Sequence, residues 1–504
     1  MNDLHLFSVL RTLALCALVS VLGARPYSAA AQTESSSAQV NRDESERVRN
    51  LLIEAERKGV ASFGCMLTAA ESGETLFAYG AERSMIPAST TKLFTTAAAT
   101  LLLDEYPFIT DFRITGKVKG STLYGDLLLV GSGDPSLYSK YFPADSARFR
   151  ESLLASLRAH HIERIEGSVG IIASAYDSLG FNPLWMGEDR GEWYANGIYG
   201  FNIFDNWIDL TLSSGSGTYD VSLLKTYPPR TGVEWDNRLT TTQKGSFAEG
   251  DGLPLVERRT LKGSVPRNRS RITLSTDMPH PPLYAARFLT NLLQAHGVEI
   301  VAAPYASFTA PMASGRLIGR YYGPAKSNLL RATNYHSLNH YAEALLKAIA
   351  RDEAKRKADQ AQQPLPASVA AGLACEKQLF TKAGMRFSPH FRLTDGSGLA
   401  RANRFTAGDM TQLLSYMIRQ DVPLFEEYLY SLPEAGSEGT VRRFLGNKPY
   451  RTFLKSGSMR GVQCYAGYID YKGKQYIVAL FANDLRDRAR VRTLFAAVAD
   501  LVLL

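Results

Sequence analysis

The stretch IPASTTKLFTTAAATLLL, residues 86–103, places a hydroxyl at Ser89 and an amine at Lys92 at the head of an apolar run. Residues three apart share one face of a helix, so the two side chains can come within hydrogen-bond reach. A lysine in a partly dry, positively charged cleft can lose its proton and act as a base. Serine and threonine are also common helix caps. The stretch alone therefore leaves two interpretations open, a nucleophile beside its base or the polar start of a helix.

Two later pieces of sequence fit the same chemistry. The tripeptide SLN, residues 337–339, stands near the start of a strongly helical run, and KSG, residues 455–457, lies in a segment with the pattern of a strand. Residues 451–484 are predicted to form three consecutive strands with turns near Arg460 and Lys472. The apolar helix predicted over residues 491–504 has little basic charge, so we expect it to pack on this sheet rather than on a membrane surface.

The three pieces, in this order, resemble the S-x-x-K, S-x-N and K-[ST]-G motifs of penicillin-binding proteins and serine β-lactamases. The segments VGSGDPSL (130–137) and TDGSGLARANR (394–404), with a large insert between the first two motifs, are similar to class C low-molecular-mass penicillin-binding proteins. The resemblance implies an α/β (α+β) fold, in which a transpeptidase-like domain of helices surrounds an antiparallel sheet and carries β-rich inserted domains. The sequence departs from the family pattern at Leu338, where Asp is common, and at Ser456, which replaces Thr.

The resemblance also implies a role for each motif residue. Ser89 would attack a D-Ala–D-Ala carbonyl and form an acyl-enzyme, with Lys92 as its base. Ser337 would relay the proton to the leaving amine, and Asn339 would bind the substrate amide or orient Lys92. Lys455 would keep the pocket positive, attract the substrate carboxylate and lower the pKa of Lys92.

Substrate binding is assigned, on the same resemblance, to the predicted strand that follows Lys455. The hydroxyls of Ser456 and Ser458 would meet the substrate carboxylate, and the peptide would lie along Gly457 as an added edge strand. The backbone N–H groups of Ser89 and Ser458 would form the oxyanion hole. In WMGEDRGEWY, residues 185–194, the family places an acidic residue that contacts the free amine of the stem-peptide diamino acid. Asp189 is the first candidate and Glu188 the second, with a solvated loop charge as the alternative.

The implied function is a serine D-alanyl-D-alanine carboxypeptidase that also cuts peptidoglycan cross-links as an endopeptidase and is inhibited by β-lactams. Two other functions stay open, a serine β-lactamase and a non-catalytic peptidoglycan-binding protein. The expected partners are stem peptides and cross-links, with β-lactams as covalent inhibitors, and a homo-oligomer is left open. Asp395 and Arg401 in the segment 394–404 are interpreted as structural residues that brace the rim of the site, and Gly396 and Gly398 as residues that set backbone geometry.

The predicted domain organisation begins with a signal peptide at residues 1–31, because Arg11 precedes a short apolar run and three small residues close the segment. No later stretch reaches transmembrane length, so no membrane anchor is expected after cleavage, and the protein is predicted to be exported to the periplasm. The remaining ranges are a tether at 32–45, a discontinuous catalytic domain at 46–112 and 318–504, an inserted domain at 113–206 and 270–317, and a second β-rich insert at 207–269.

Composition and cysteine usage exclude some functions. The formal net charge is +8, and no basic run is interleaved with aromatic residues, so nucleic acid is not an expected partner. Cys65, Cys375 and Cys464 match no zinc knuckle; export would permit one disulfide, but the sequence does not demand it. His336 and His340 have a zinc-binding spacing, but Ser337 occupies the position where a zinc protease needs Glu. Neither a metal nor a cofactor is expected.

Overall fold

The computed structural model describes residues 29–245, 247–357 and 366–504, so the predicted signal peptide falls almost wholly outside the described residues. From residue 29 to the end of the first motif helix, the chain forms helix α1 (Ala29–Arg57), strands β1 (Ser62–Ala69) and β2 (Thr75–Tyr79), a 3-10 turn (Ala88–Thr91) and helix α2 (Lys92–Leu102). The prediction of a loose tether at 32–45 is wrong, because α1 runs through this range. Neither Gly nor Pro occurs in the helix, so nothing in the local sequence breaks it.

The large excursion between the first two motifs starts and ends in one pair of strands. β18 pairs antiparallel with β3, and the outermost pair is Ile109 with Tyr322. By this strand pairing the excursion begins at Ile109 and ends at Tyr322, a few residues outside the predicted limits of 113 and 317. The excursion includes two helices, one of which, α3, the sequence analysis did not identify. Its elements are β3 (Ile109–Ile114), β4 (Lys117–Lys119), β5 (Thr122–Tyr124), β6 (Leu127–Gly131), α3 (Pro143–Ala159), β7 (Arg164–Ile165), β8 (Val169–Ile172), β9 (Trp207–Ser214), β10 (Val221–Tyr227), β11 (Glu234–Asn237), β12 (Thr240–Thr242), β13 (Phe247–Asp251), β14 (Arg258–Pro266), β15 (Arg269–Asp277), α4 (Pro281–Ala295), β16 (Glu299–Ile300), β17 (Tyr305–Ser307) and β18 (Arg316–Tyr322).

The strands of the excursion form four small sheets. Two of them are built mainly from the range predicted as the first insert, in the orders β16-β7-β5-β4 and β17-β8-β6-β3-β18. The other two have the orders β10-β9-β15 and β11-β14-β12, with β13 also paired to β14, and most of their strands lie in the range predicted as the second insert. One apolar core joins them, so the β-rich segment 207–269 packs as part of the excursion.

The last third of the chain returns to the catalytic domain. Its elements are α5 (Lys326–Tyr335), α6 (Asn339–Lys357), α7 (Val369–Lys382), α8 (Ala407–Ile418), α9 (Val422–Tyr430), β19 (Arg451–Met459), β20 (Val462–Tyr471), β21 (Lys474–Asn483) and α10 (Arg488–Ala499). The three consecutive C-terminal strands and the closing helix agree with the sequence prediction. The helical run around the second motif is two helices, however, because Ser337 has a left-handed backbone with a φ of 60° between α5 and α6.

These pieces combine into a central antiparallel sheet with the order β19-β20-β21-β1-β2, and β19 lies at its edge. Helices α1 and α10 cover one face, where Val48, Leu52 and Ala55 of α1 are buried on a single helical stripe. Helices α2, α5, α6, α7 and α8 contribute to the core on the opposite face. The mixed α/β class predicted from the sequence is therefore confirmed. In the described ranges, no helix combines the length and the apolar character that crossing a bilayer needs.

Helix α2 is buried on all sides over most of its length, which fixes the position of its first residue, Lys92. Its threonines satisfy their hydroxyls within this core: Thr96 donates to the Lys92 carbonyl at 2.8 Å, and Thr100 donates to the Thr96 carbonyl at 2.8 Å. A buried helix with satisfied polar groups is a rigid support for a catalytic side chain. The predicted site residues Ser89 and Lys92 therefore stand at the start of a helix that is buried in the core of the domain.

Candidate active site

Three hydrogen bonds hold the amine of Lys92. Ser89 lies in a 3-10 turn, Ala88–Thr91, directly before α2, and its Oγ is 3.1 Å from Lys92 Nζ. The Oδ1 of Asn339 and the backbone carbonyl of Ser397 each accept from the same amine at 2.6 Å. The structure thus brings together Ser89, Lys92 and Asn339 as the motif spacing predicted, and it adds Ser397, which the sequence analysis did not select.

These three contacts fit both charge states of the amine, since the protonated form donates all three and the neutral form donates two. A neutral lysine has two N–H donors and one lone pair. The two short contacts, to Asn339 and Ser397, end on oxygens that can only accept, so both donors are used there. The lone pair is then left for the Ser89 hydroxyl, which is the arrangement that a general base requires.

Burial favours this neutral form. Lys92 is fully buried, and desolvation lowers its pKa to about 7, against opposing charges on Asp395 and Glu343 that raise it. Lys455 is also fully buried, and its pKa is lowered well below the usual lysine value by burial and by the charge of Lys92. Burial, and not the charge of Lys455 as the sequence analysis expected, is therefore the main cause of the lowered Lys92 pKa.

Ser337 and Lys455 form the second half of the site. Lys455 Nζ donates to Ser337 Oγ at 3.0 Å and to the carbonyl of Ser456 at 2.7 Å. Because the Ser337 oxygen accepts from Lys455, its own proton is free to be donated to another group. The left-handed backbone of Ser337, in the break between α5 and α6, places this hydroxyl beside the edge strand β19.

Strand β19 approaches Ser89 closely because residue 457 is glycine. A Cβ at this position would lie 2.6 Å from the Pro87 carbonyl oxygen and 3.1 Å from the Ser89 nitrogen. The Ser456 hydroxyl donates to Thr440 Oγ1 at 2.7 Å, and the Ser458 hydroxyl accepts from Arg488 Nη1 at 2.9 Å. Since the Ser458 oxygen accepts this bond, the Ser458 hydroxyl can still donate a hydrogen bond to a carboxylate.

The segment 394–404 forms a buried loop behind the amine of Lys92. Gly398 has a φ of +80°, and a Cβ there would lie 2.0 Å from the Ala88 carbonyl oxygen. Only a glycine at this position therefore lets the loop contact the turn Ala88–Thr91 that contains Ser89. Asp395 holds the loop by accepting from the backbone N–H of Gly398 at 2.8 Å and of Ala400 at 2.7 Å. The loop thus presents the Ser397 carbonyl that accepts from the amine of Lys92.

Glu343 of α6 was not selected from the sequence, although an acid between Ala342 and Ala344 on a buried turn of a helix is a signal. Its Oε1 accepts from the backbone N–H of Gly396 at 3.0 Å and of Ser397 at 2.9 Å. Burial raises the pKa of Glu343 to about 7. Glu343 therefore fixes the peptide that presents the Ser397 carbonyl to Lys92.

The inserted domain also reaches the site. The backbone carbonyl of Tyr194 accepts from Asn339 Nδ2 at 2.7 Å, and the Tyr194 hydroxyl donates to Asp189 Oδ1 at 2.8 Å. Trp185 Nε1 donates to Asp395 Oδ2 at 2.8 Å. Asp189 is half-buried, and this burial raises its pKa, whereas Glu188 is exposed. Asp189 therefore stands two hydrogen bonds from Asn339, on the insert side of the site.

The remaining candidates lie apart from this chemistry. His336 is exposed and packs on Tyr141 at a ring-centroid distance of 4.4 Å, while His340 is buried with Nε2 3.6 Å from Asp205. They belong to the ends of two helices and not to one helix as the zinc spacing assumed. Within the described ranges, no group of three or more His, Cys, Asp or Glu residues is placed to hold a metal ion. Cys65, Cys375 and Cys464 are free thiols.

A cavity of about 500 Å³ opens at Ser89. The side chains of Ser89 and Ser337 line its floor together with Ser456 and Ser458. Among the described residues that line it, basic and hydroxyl side chains are present, and no carboxylate is. The cavity can therefore receive an anionic molecule beside Ser89, whose hydroxyl lies within hydrogen-bond distance of the Lys92 amine.

Comparison with known proteins gives a consistent result. The model of the D-Ala-D-Ala carboxypeptidase 3 (S13) family matches residues 45–502. The chain is 26% identical over 417 residues to D-alanyl-D-alanine carboxypeptidase DacB of Haemophilus influenzae, covering 80% of this chain and 82% of the relative. It is 25% identical over 476 residues to the D-alanyl-D-alanine carboxypeptidase of an Actinomadura species, covering 90% of this chain and 82% of the relative.

A solved structure has the same fold. The crystal structure of penicillin binding protein 4 from Haemophilus influenzae aligns with a TM-score of 0.78 at 22% sequence identity, over 91% of this chain and 99% of that chain. The same protein has been solved in complex with a β-lactam, and that structure aligns with a TM-score of 0.72. The expected transpeptidase-like architecture with its inserted domains agrees with this match.

Proposed function

Since the chain belongs to the D-Ala-D-Ala carboxypeptidase 3 (S13) family and is a serine-type carboxypeptidase, we propose that Ser89 is its nucleophile and that it also cuts peptidoglycan cross-links. The observation that carries the proposal is the amine of Lys92. It is buried, its pKa is lowered to about 7, and both of its neutral-state donors are used by Asn339 and Ser397. Its lone pair is therefore available to the Ser89 hydroxyl 3.1 Å away.

The proposed reaction follows from these positions. Ser89 attacks the carbonyl of the terminal D-Ala–D-Ala bond while Lys92 takes the hydroxyl proton. The oxyanion accepts hydrogen bonds from the backbone N–H groups of Ser89 and Ser458. Ser337, whose oxygen accepts from Lys455, relays the proton: it gives its own proton to the leaving nitrogen as the peptide bond breaks and takes up the proton held by Lys92. Water then hydrolyses the ester on Ser89.

The substrate enters along the edge strand β19 in this proposal. The Ser458 hydroxyl and the Lys455 amine donate to the terminal carboxylate, and the Ser456 hydroxyl, which donates to Thr440 in the free protein, turns its proton to the same carboxylate. Gly457 leaves the backbone of β19 close enough to Ser89 for an added strand to present its carbonyl to the nucleophile. On the insert side, the Asp189 carboxylate accepts a hydrogen bond from the free amine of the diamino acid. Because the substrate belongs to the cell wall, the protein acts outside the cytoplasm, and we place it in the periplasm.

Mass spectrometry after treatment with benzylpenicillin tests the nucleophile. We expect one covalent adduct on the mature protein, none on Ser89→Ala, and a full adduct on the exposed control Ser84→Ala. Opening of the β-lactam ring by Ser89 adds the whole inhibitor mass, so the modified peptide identifies the residue. An adduct on folded Ser89→Ala would refute the assignment.

The same adduct separates the two other functions. A serine β-lactamase needs a base that activates the deacylating water quickly, and no carboxylate is present among the described residues that line the cavity. A long-lived adduct supports the carboxypeptidase, whereas rapid release of hydrolysed penicillin supports a β-lactamase. Absence of any adduct supports a non-catalytic peptidoglycan-binding protein. Cleavage of a purified cross-linked dimer, followed by chromatography, tests the endopeptidase activity.

A further inference from the structure

The cavity at Ser89 has one strongly basic wall, which we call the arginine wall and define as Arg442, Arg443, Arg488 and Arg492. Arg442 and Arg443 directly follow the 3-10 turn Gly439–Val441, and the other two lie on the first turns of α10. All four line the same cavity of about 500 Å³ as the proposed nucleophile. The wall is therefore part of the space that a bound substrate enters.

The charges of this wall are not neutralised from within the protein. In the part of the chain that the structure describes, none of the four guanidinium groups pairs with a carboxylate. Arg488 donates to Ser458 Oγ and to Gln463 Oε1, each at 2.9 Å. Arg492 donates to the carbonyl of Arg443 and lies 5.8 Å from the centre of the Phe444 ring.

An arginine at the other end of this strand is neutralised. Arg451, at the start of β19, forms a two-bond pair with Glu434 at 3.0 and 2.9 Å. Four like charges around one cavity repel one another, and an anion in the cavity removes this cost. Arginine is also the side chain best suited to bind carboxylates through two parallel hydrogen bonds. The wall is thus built for a ligand with more than one negative group.

The position of the wall relates it to one side of the scissile bond. It is continuous with Ser456 and Ser458, which receive the terminal carboxylate in the proposed function. The leaving group of the carboxypeptidase reaction is free D-alanine, whose single carboxylate is already received by those hydroxyls and by Lys455. The leaving group of cross-link cleavage is a second stem peptide, which extends further and carries additional carboxylates.

We propose that the arginine wall binds the carboxylates of this second stem peptide and so gives the enzyme its preference for cross-linked substrate. This inference rests on the proposed function, because it uses the direction in which the peptide lies along β19. The wall does not touch the reacting atoms. Its residues determine specificity by adding binding contacts that only the larger leaving group can make.

The test compares two substrates on three proteins. A cross-linked peptide dimer and an uncross-linked pentapeptide are cleaved by the unmodified protein, by the double variant Arg442→Ala/Arg492→Ala and by Arg490→Ala. Arg490 lies on the same helix α10, is exposed and does not line the cavity, so it is a matched control. Circular dichroism and full penicillin labelling establish that each variant is folded with a working nucleophile.

We expect the double variant to lose about tenfold or more in kcat/KM on the dimer relative to its kcat/KM on the pentapeptide. Arg490→Ala should keep the ratio of the unmodified protein. Added salt should weaken dimer cleavage more than pentapeptide cleavage, and this difference should shrink in the double variant. An equal loss on both substrates, or an unchanged ratio, would overturn the inference.

A binding measurement separates this inference from the endopeptidase proposal. Dimer affinity is measured by calorimetry in the Ser89→Ala background, with and without the two arginine substitutions. If the unmodified protein does not cut the dimer, the endopeptidase proposal fails. Weaker dimer binding after loss of the arginines would still support the wall as a stem-peptide site, and unchanged binding would refute it.

Discussion

The amine of Lys92 and the backbone carbonyl oxygen of Ser397 are 2.6 Å apart, so the proposed base is held by a loop distant in sequence. Glu343 fixes the same loop from α6 through the N–H groups of Gly396 and Ser397. The orientation of the base therefore depends on backbone groups that the three motifs do not contain. The predictions below use this dependence.

The acylation rate should rise with pH through the pKa of Lys92, which burial lowers to about 7. Below this pH the amine is protonated and has no lone pair for the Ser89 proton, so the rate should fall about tenfold per pH unit. Stopped-flow measurement of penicillin acylation against pH checks the prediction, with circular dichroism as the control for unfolding. A rate that is constant across this range would contradict the role of Lys92.

Glu343→Gln should displace this acid limb to lower pH. The carboxylate of Glu343 raises the pKa of Lys92, so removing its charge lets the amine lose its proton more readily. Gln keeps an oxygen that can accept from Gly396 and Ser397. The displacement should be less than about one pH unit, because Glu343 itself is only partly ionised near neutral pH. The exposed control Glu82→Gln should leave the limb in place, and a shift to higher pH in Glu343→Gln would refute this account.

Gly398→Ala should reduce acylation by at least about a hundredfold. The new Cβ would lie 2.0 Å from the Ala88 carbonyl oxygen, so the turn that carries Ser89 must move. Gly384→Ala is the matched control, because Gly384 has a φ of +79° with nothing within 4 Å of the added Cβ. It imposes similar backbone strain without the clash and should acylate normally. Equal rates in the two variants would show that the loop does not position the nucleophile.

Ser337→Gly and Ser337→Ala should lose activity alike but differ in stability. Both remove the hydroxyl that accepts from Lys455, so both should slow peptide cleavage. The backbone at this position has a φ of 60°, where a Cβ is unfavourable, so the Gly variant should be about 0.5–1 kcal/mol more stable than the Ala variant. Thermal unfolding and peptide cleavage measure the two effects. Normal cleavage by Ser337→Gly would remove the hydroxyl from the proposed proton relay.

Asp189→Asn should change substrate preference. We expect kcat/KM to fall about tenfold on a stem peptide with a free side-chain amine, relative to the same peptide with that amine acetylated. The acetylated peptide corrects for any disturbance of Tyr194, which bonds to Asp189. Glu188→Gln, next to it and exposed, is the control. A larger effect from Glu188→Gln would transfer the assignment to that residue.

The sequence was sufficient for the parts of the site that need a particular side chain. Ser89, Lys92 and Lys455 were selected as candidates because the expected chemistry requires a hydroxyl or an amine at a recognisable spacing, and the structure places them close together. The Ser397 carbonyl could not be found in this way, because every residue has such a group and only the folded loop aims this one. The left-handed backbone of Ser337 had no signal either, since the residues on both sides continue a helical pattern.

The fold was predictable to a similar degree and for similar reasons. The three C-terminal strands follow from alternating apolar residues and clear turns. The polar range 32–45 was mistaken for a tether because its composition is typical of one, although it lacks the Gly and Pro that would prevent a helix. Helix α3 was missed inside the Gly-rich, β-rich excursion, where only four of its side chains reach the core.

The hydrogen bond from Asn339 to the Tyr194 carbonyl has a consequence for protein engineering. The excursion begins and ends on neighbouring strands, so its removal would leave short ends that a linker could join. Such a minimal enzyme would nevertheless lose the acceptor that orients Asn339, and with it one of the two contacts that aim the lone pair of Lys92. The inserted domain is therefore not a detachable module, and a shortened enzyme would need a replacement carbonyl at the position of Tyr194.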